Sequence, residues 1–305
     1  MSGVLQIMFM LALSVELLIG LLGNGFMVLV TSMDWRKSRK ISPVDQILLA
    51  LAISRFALLF SLLLNILMST LCPALMVTTT MLRINSTTWT VTNHFSNWLA
   101  TSLGIFYFLK IANFSNSVFL YLKWRVRKVV SGAVLVSLTL LFLNIIVIKT
   151  QAGDIWTDEY PSNATYGLSS NKSVQFPILV LYNNTVFTLI PFTVSLVTFL
   201  LLIFSLWKHH QAMQHRGRVP RDASTLAHIQ ALYMVVAFLL LYAVFFLSLL
   251  LHFWNFKFLH ENAIVLLLEV IATAFPSGHS IVLILATRKL RGTFLPMLCT
   301  PCWGT

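Results

Sequence analysis

Seven apolar runs recur along the chain, near residues 3–30, 44–71, 87–112, 129–149, 178–207, 227–254 and 262–287. Crossing a hydrocarbon core of about 30 Å takes roughly 20 helical residues, so each run predicts a transmembrane helix. The polar interruptions are single residues rather than strand-like alternation. Helices satisfy their backbone groups internally in lipid, and the pattern excludes a barrel. The expected fold class is an all-α membrane protein, a seven-transmembrane helix bundle forming one domain over 1–305 with a short tail at 288–305. The longest connection, near 150–177, is too short for a second domain. One stretch breaks the pattern: "AFPSGHSIVLIL", residues 274–285, places Pro276, Ser277, Gly278, His279 and Ser280 inside the last apolar run.

Composition agrees, with 58% hydrophobic and 10% charged residues and a mean hydropathy of +0.84, outside the range of ordinary soluble domains. A net charge of +12 would point to nucleic acid in a soluble protein. Here the basic residues sit in short clusters between apolar runs, as topology-setting charges do, and no nucleic-acid partner is expected. Arg36, Lys37, Arg39 and Lys40 follow the first run, Lys123, Arg125, Arg127 and Lys128 the third, Lys208, Arg216, Arg218 and Arg221 the fifth, and Arg288, Lys289 and Arg291 the last. The other side carries Arg83, Lys149, Lys172 and Lys257. This asymmetry predicts an outside N-terminus, a cytoplasmic C-terminus and a multi-pass plasma-membrane protein. Residues 1–30 carry no Lys or Arg and read as a retained first helix rather than a removed signal peptide. Sequons at Asn163 and Asn171 fall in the long outer loop, where glycans are accepted. Of the three cysteines only Cys72 is near the outer side, so an extracellular disulfide within the chain is excluded. Cys299 and Cys302 have the spacing of half a zinc site, but a structural zinc needs about four ligands. Acylation or free thiols are expected there, with no metal and no cofactor.

Polar residues inside such runs mark function or packing. At about 1.5 Å of rise per residue, His279 and Ser280 lie on the order of 12 Å above the inner end of the last helix, with Asn24 at similar depth and Arg55 slightly deeper. A midplane arginine faces the bundle interior and finds partners. No acidic residue is available at that depth, so Asn24, Ser280 and carbonyls freed around Pro276 and Gly278 are the expected acceptors. Such a network either holds three helices together or rearranges on activation. A hydrolase reading of His279 and Ser280 fails because adjacent helical residues do not face each other and no acid orients the imidazole. Nearer the outside, Trp89, Asn93 and Asn97 share a face at i, i+4 and i+8, with His94 on the next stripe. Glu269 lies at a comparable depth and predicts a wet cavity or a bound cation. Trp89 alone is equally accounted for as an interfacial belt residue.

Seven helices with an outside N-terminus point to a G-protein-coupled receptor, yet the commonest signatures of rhodopsin-like receptors are missing. The third run ends in "FLKIANFSN", the sixth lacks Cys-Trp-x-Pro and the seventh lacks Asn-Pro-x-x-Tyr. The chain instead resembles the type 2 (bitter) taste receptor family over nearly its whole length. The resemblance is carried by "GNGF", "LAISR", "NHFSNWLATSLGIFYFLKIANFSN", "PFTVSL", "LLIFSLWKH", "FLLLYA" and "HSIVLI", in family order. It implies a receptor, not an enzyme, that binds small bitter agonists. Trp89, Asn93 and Glu269 match family positions lining the ligand pocket, and Phe245 stands where some relatives carry Tyr. Phe187 and Phe246 are the expected aromatic neighbours. An activation network of Asn24, Arg55, Tyr242, His279 and Ser280 is implied, with "PSGHSIVLI" as its switch segment. The resemblance also implies a heterotrimeric G protein of the gustducin or inhibitory class, alpha with beta-gamma. Tyr107, Lys110, Arg125, Lys208, His209 and Arg216 are the candidate contacts, although the positive-inside pattern accounts for each charge as well. Membrane lipid, a sterol included, is the remaining expected partner. The rival readings are another chemosensory receptor, such as a vomeronasal one, and a transporter, for which no inverted repeat is visible.

Overall fold

The computed structural model describes residues 3–38, 41–76, 78–157, 168–214, 223–255 and 262–299. Seven long helices dominate: α1 (Gly3–Ser38), α2 (Pro43–Leu71), α4 (Thr79–Ile111), α6 (Val126–Thr157), α7 (Leu168–Gln214), α8 (Ala223–Trp254) and α9 (Asn262–Ala286). Short helices mark the ends. α3 (Pro73–Met76) lies between α2 and α4, while α5 (Ser117–Trp124) and α10 (Arg288–Cys299) lie at the opposite end of the bundle.

Local chemistry explains several boundaries. α2 starts at Ser42, whose hydroxyl accepts from the Asp45 amide at 3.1 Å, with Pro43 in the first turn, where its missing N–H costs nothing. Thr78 caps α4 in the same way, so that helix begins eight residues before the expected 87; its first turns are polar and carry no hydropathy signal. Asn116 caps α5 by accepting from the Val118 amide at 2.8 Å. α7 (Leu168–Gln214) runs well beyond the expected 178–207, with Pro177 in its added first turns and Pro191 in its middle, and α9 continues through Pro276. Neighbouring helices stabilise such prolines by re-satisfying the freed backbone groups.

Six of the long helices are apolar enough to cross a membrane by length and composition, and α4 is the exception. Its position explains this. α4 packs against α2, α6 and α7 and buries Ser96, Asn97, Trp98, Ala100, Thr101, Ser102, Leu103 and Gly104, residues that point in every direction around its axis. A helix surrounded by protein can keep polar groups that lipid would expel. α1 and α6, by contrast, expose rows of Leu, Ile, Val and Phe, the surface expected of lipid-facing helices.

Two close approaches bring the helices together. A Cβ at Gly104 would sit 2.7 Å from the Phe199 ring of α7, and one at Gly20 would meet the Ser277 hydroxyl and lie 2.6 Å from Leu59 Cδ1. Small residues at such crossings let backbones approach closely. At the far end, Lys289 of α10 pairs with Asp34 of α1 at 2.7 Å and with Asp45 of α2 at 3.8 Å. These pairs are partly exposed and worth at most about 1 kcal/mol. Burial of Leu290 and the edge-on contact of Phe294 with Phe26 at 5.3 Å hold α10 more firmly.

Candidate functional site

At the α3 end a cavity of about 260 Å³ opens between α4, α8 and α9, with α2 and α7 completing its walls. Trp89 and Asn93 of α4 line it one helical turn apart, facing Phe245 and His252 of α8 and Glu269 and Thr273 of α9. Pro276 closes its inner side. Asn85 extends the α4 stripe outward by another turn, and Asn65 and Ser86 add polar groups. The volume lies just under the range of sites for drug-sized ligands, so a small or flat molecule fits this conformation. Aromatic walls with a few amide, hydroxyl, imidazole and carboxylate groups suit an amphipathic ligand.

The other expected pocket residues lie elsewhere. His94 is buried against α6, with its Nε2 2.8 Å from the Ser137 carbonyl oxygen. Asn97 points into the helix interface and donates to Asn93 Oδ1 at 3.3 Å. Phe246 stacks on Phe192 at 4.7 Å on the α7 side, and Phe187 is half-buried outside the cavity lining. Helical spacing fixes a stripe, but not the rotation of that stripe toward cavity or neighbour. His252, Thr273, Asn65, Asn85 and Ser86 were not expected from the sequence. The signal was present for two of them: Asn85 is i−4 from Trp89, and Thr273 is i+4 from Glu269.

Below the cavity floor the bundle buries a set of polar side chains. Arg55 is fully buried; its Nη2 donates to His279 Nδ1 at 2.7 Å and its Nε donates to Ser96 Oγ at 3.3 Å. Arginine has no acceptor, so Nδ1 must accept, and a neutral His279 carries its proton on Nε2. The guanidinium also lies 5.2 Å from the Phe275 ring centroid. These partners differ from the expected set. Asn24 and Ser280 satisfy each other and their own helices: Ser280 Oγ donates to Asn24 Oδ1 at 2.9 Å and lies 2.7 Å from the Pro276 carbonyl oxygen, while Asn24 Nδ2 donates to the Gly20 carbonyl at 2.7 Å. Depth placed the groups at one level, but the rotation of α2 aims Arg55 at α4 and the His279 face of α9.

An aromatic cluster joins the two levels. Phe245, on the cavity wall, stacks on Phe275 at 5.2 Å, and Phe275 stacks on Tyr242 at 5.0 Å and on His279 at 5.9 Å. Phe238 meets the His279 ring at 4.5 Å. The buried Tyr242 is thus in the core with Arg55 and His279, and its ring also meets Phe192 edge-on at 5.3 Å.

At the α10 end, Lys110, Arg125 and Lys208 are exposed, and Arg125 covers the Tyr121 ring at 4.7 Å. Tyr107 is half-buried and lines a narrow gap beneath His279 with Phe199 and Phe238. Asn163 and Arg216 lie outside the described residues, as do the side chains of Asn171 and His209. Cys72 is exposed with a free thiol; Cys302 and the Cys299 side chain are outside the described set. Among the described residues no three His, Cys, Asp or Glu side chains converge on a metal position.

Seven long helices, one of them polar and sheltered by three others, with an open cavity at one end and a buried polar core beneath it, are the architecture of a seven-transmembrane receptor. The chain matches the taste receptor protein family over residues 1–301. It is 55% identical over 289 residues to rat taste receptor type 2 member 140, covering 95% of this chain and 92% of the relative. It is 53% identical to member 14 of Macaca mulatta and 50% identical to human member 14, each over 298 residues, 98% of this chain and 93% of the relative. The chain belongs to the taste receptor type 2 family, the bitter receptor family its motifs resemble, and is a multi-pass membrane receptor rather than an enzyme.

Proposed function

We propose that this receptor binds small bitter compounds in the cavity bounded by Trp89, Asn93, Phe245 and Glu269 and activates a heterotrimeric G protein of the gustducin or inhibitory class. The observation that carries this reading is the contact of Phe245 with Phe275. One ring faces the ligand space, and the other packs over Arg55 and His279. A ligand that shifts Phe245 therefore acts on a ring shared with the polar core, and packed aromatic rings move between discrete arrangements. The basic asymmetry of the loops supports a reading with the cavity outside and the α10 end in the cytoplasm. There Lys110, Arg125 and Lys208 present exposed cations around the ends of α4, α5 and α7, where outward movement of α8 would open a groove for a helix of the alpha subunit.

The test is calcium mobilisation in cells co-expressing a promiscuous G protein, exposed to a panel of bitter compounds. A response that disappears in a Phe245→Ala variant still present at the cell surface supports the site. An unchanged response in that variant removes the cavity as the agonist site, and silence toward the whole panel by well-expressed wild type removes the agonist class.

A further inference from the structure

A second cavity, of about 220 Å³, opens at the α10 end between the first turns of α2 and α6 and the inner part of α4. Phe106 and Ile47 form a buried apolar floor, and the exposed side chains of Gln46, Arg127 and Ser131 form the rim. Two neighbouring basic residues are committed in other directions. Arg125 lies over Tyr121 at 4.7 Å, and Lys123 donates to the Ala112 carbonyl at 2.8 Å. Among the described residues Arg127 is the basic residue that lines this cavity, and no carboxylate lines it. Asp45, close by in sequence, instead accepts from Ser42 at 2.8 Å and faces Lys289 at 3.8 Å. Arg127 is also the second residue of α6, so its charge stands in the first turn of that helix. The site is cationic, rich in donors and floored with hydrocarbon.

Its surroundings identify the source of the anion. Trp124 is almost fully exposed and Tyr121 is exposed, both within two turns of Arg127 along the chain. Exposed Trp and Tyr at a helix end mark the membrane–water interface. A cavity at that level is within reach of lipid headgroups.

We propose that this cavity holds the phosphate group of an anionic phospholipid, with Arg127 as its charge partner, Gln46 and Ser131 donating hydrogen bonds, and the start of the acyl chains on the Phe106 floor. A lipid seated there ties α2, α4 and α6 together beside the α5 loop. The proposal rests on reading the α10 end as cytoplasmic only for naming the leaflet.

The experiment places purified full-length receptor in nanodiscs of phosphatidylcholine alone or with phosphatidylserine in both leaflets, so its outcome does not depend on orientation. Thermal midpoint and lipid retained in native mass spectrometry are the readouts. Phosphatidylserine should raise the midpoint, and Arg127→Gln should cut retained phosphatidylserine by about fivefold, the factor expected for one basic residue at a membrane surface. Lys128→Gln, which removes the same charge outside the cavity lining, should retain it. Equal losses in the two variants would mean a diffuse basic surface and overturn the site. Inorganic phosphate reproducing the shift in phosphatidylcholine nanodiscs would overturn the lipid source. Should Arg127→Gln not fold, Ser131→Leu, which fills the rim without changing charge, must lower retention; unchanged retention there also overturns the proposal.

Discussion

The two halves of α9 face different solvents. Glu269 and Thr273 look into an open cavity, whereas Ser277, His279 and Ser280, one to three turns further along the same helix, are buried among α1, α2 and α8. Each half carries polar groups, but in different settings: the Glu269 carboxyl is left to whatever enters the cavity, whereas His279 and Ser280 are held by fixed side chains and carbonyls. A polar residue in a membrane helix is therefore assigned a role by the surface it faces, and not by its type. Cavity residues should change which ligands act, and core residues should change whether the receptor assembles and switches at all.

The largest effect is expected from Arg55→Ala. It strips His279 Nδ1 and Ser96 Oγ of their donor, and each buried group left unsatisfied costs about 1–3 kcal/mol. Surface immunostaining and agonist dose-response should both fall, by about tenfold or more, with Arg55→Lys retaining part of each. Wild-type behaviour in Arg55→Ala would erase the distinction between the two halves. Next comes Gly20→Ala, whose new methyl meets the Ser277 hydroxyl and Leu59; overpacking of this kind costs about 1–3 kcal/mol. Ser277→Ala alone should be close to neutral, since Ser277 Oγ has no hydrogen-bond partner among the described residues, and combining the two should recover part of the lost thermal midpoint. No recovery would place the conflict at Leu59.

Changes in the cavity should leave expression intact. Trp89→Ala removes an aromatic wall and should weaken neutral and cationic agonists alike, by about tenfold, because a ring contributes both packing area and an attractive face for cations. Glu269→Gln should weaken cationic agonists by about tenfold and spare neutral ones, as a charge-assisted hydrogen bond is worth about 1.5–3 kcal/mol. Equal shifts for both ligand classes would sink charge selection at Glu269. The smallest change is a gel-mobility shift: Asn163→Gln should reduce the glycosidase-sensitive component, and an unchanged glycoform would count against the α3 end being outside.

Much of the architecture was legible because lipid imposes a simple rule, and apolar runs of sufficient length announced the helices. The beginning of α4 was not, since Thr79, Thr80, Arg83, Asn85 and Ser86 look like loop residues until the cap at Thr78 is known. Within the site, helical spacing brought Trp89 and Asn93 to one stripe and depth brought Arg55, Asn24, His279 and Ser280 to one level. Pairing within that level was not legible: it depends on helix rotation, which no residue count gives, and so the Arg55 partners are His279 and Ser96 rather than Asn24 and Ser280. His252 was hidden for a related reason, because α8 is apolar on every face and its sequence shows no preferred side.

The polarity of α4 has a consequence for biosynthesis. A segment that carries Asn93, His94, Ser96, Asn97, Thr101 and Ser102 gains little by entering lipid alone, and two of the helices that shelter it, α6 and α7, are translated after it. The nascent chain must therefore hold α4 beside α2, or at the wall of the insertion machinery, until the later spans arrive. Slowing translation ahead of α6 and α7 should then lower delivery of finished receptor to the cell surface, which surface immunostaining would read.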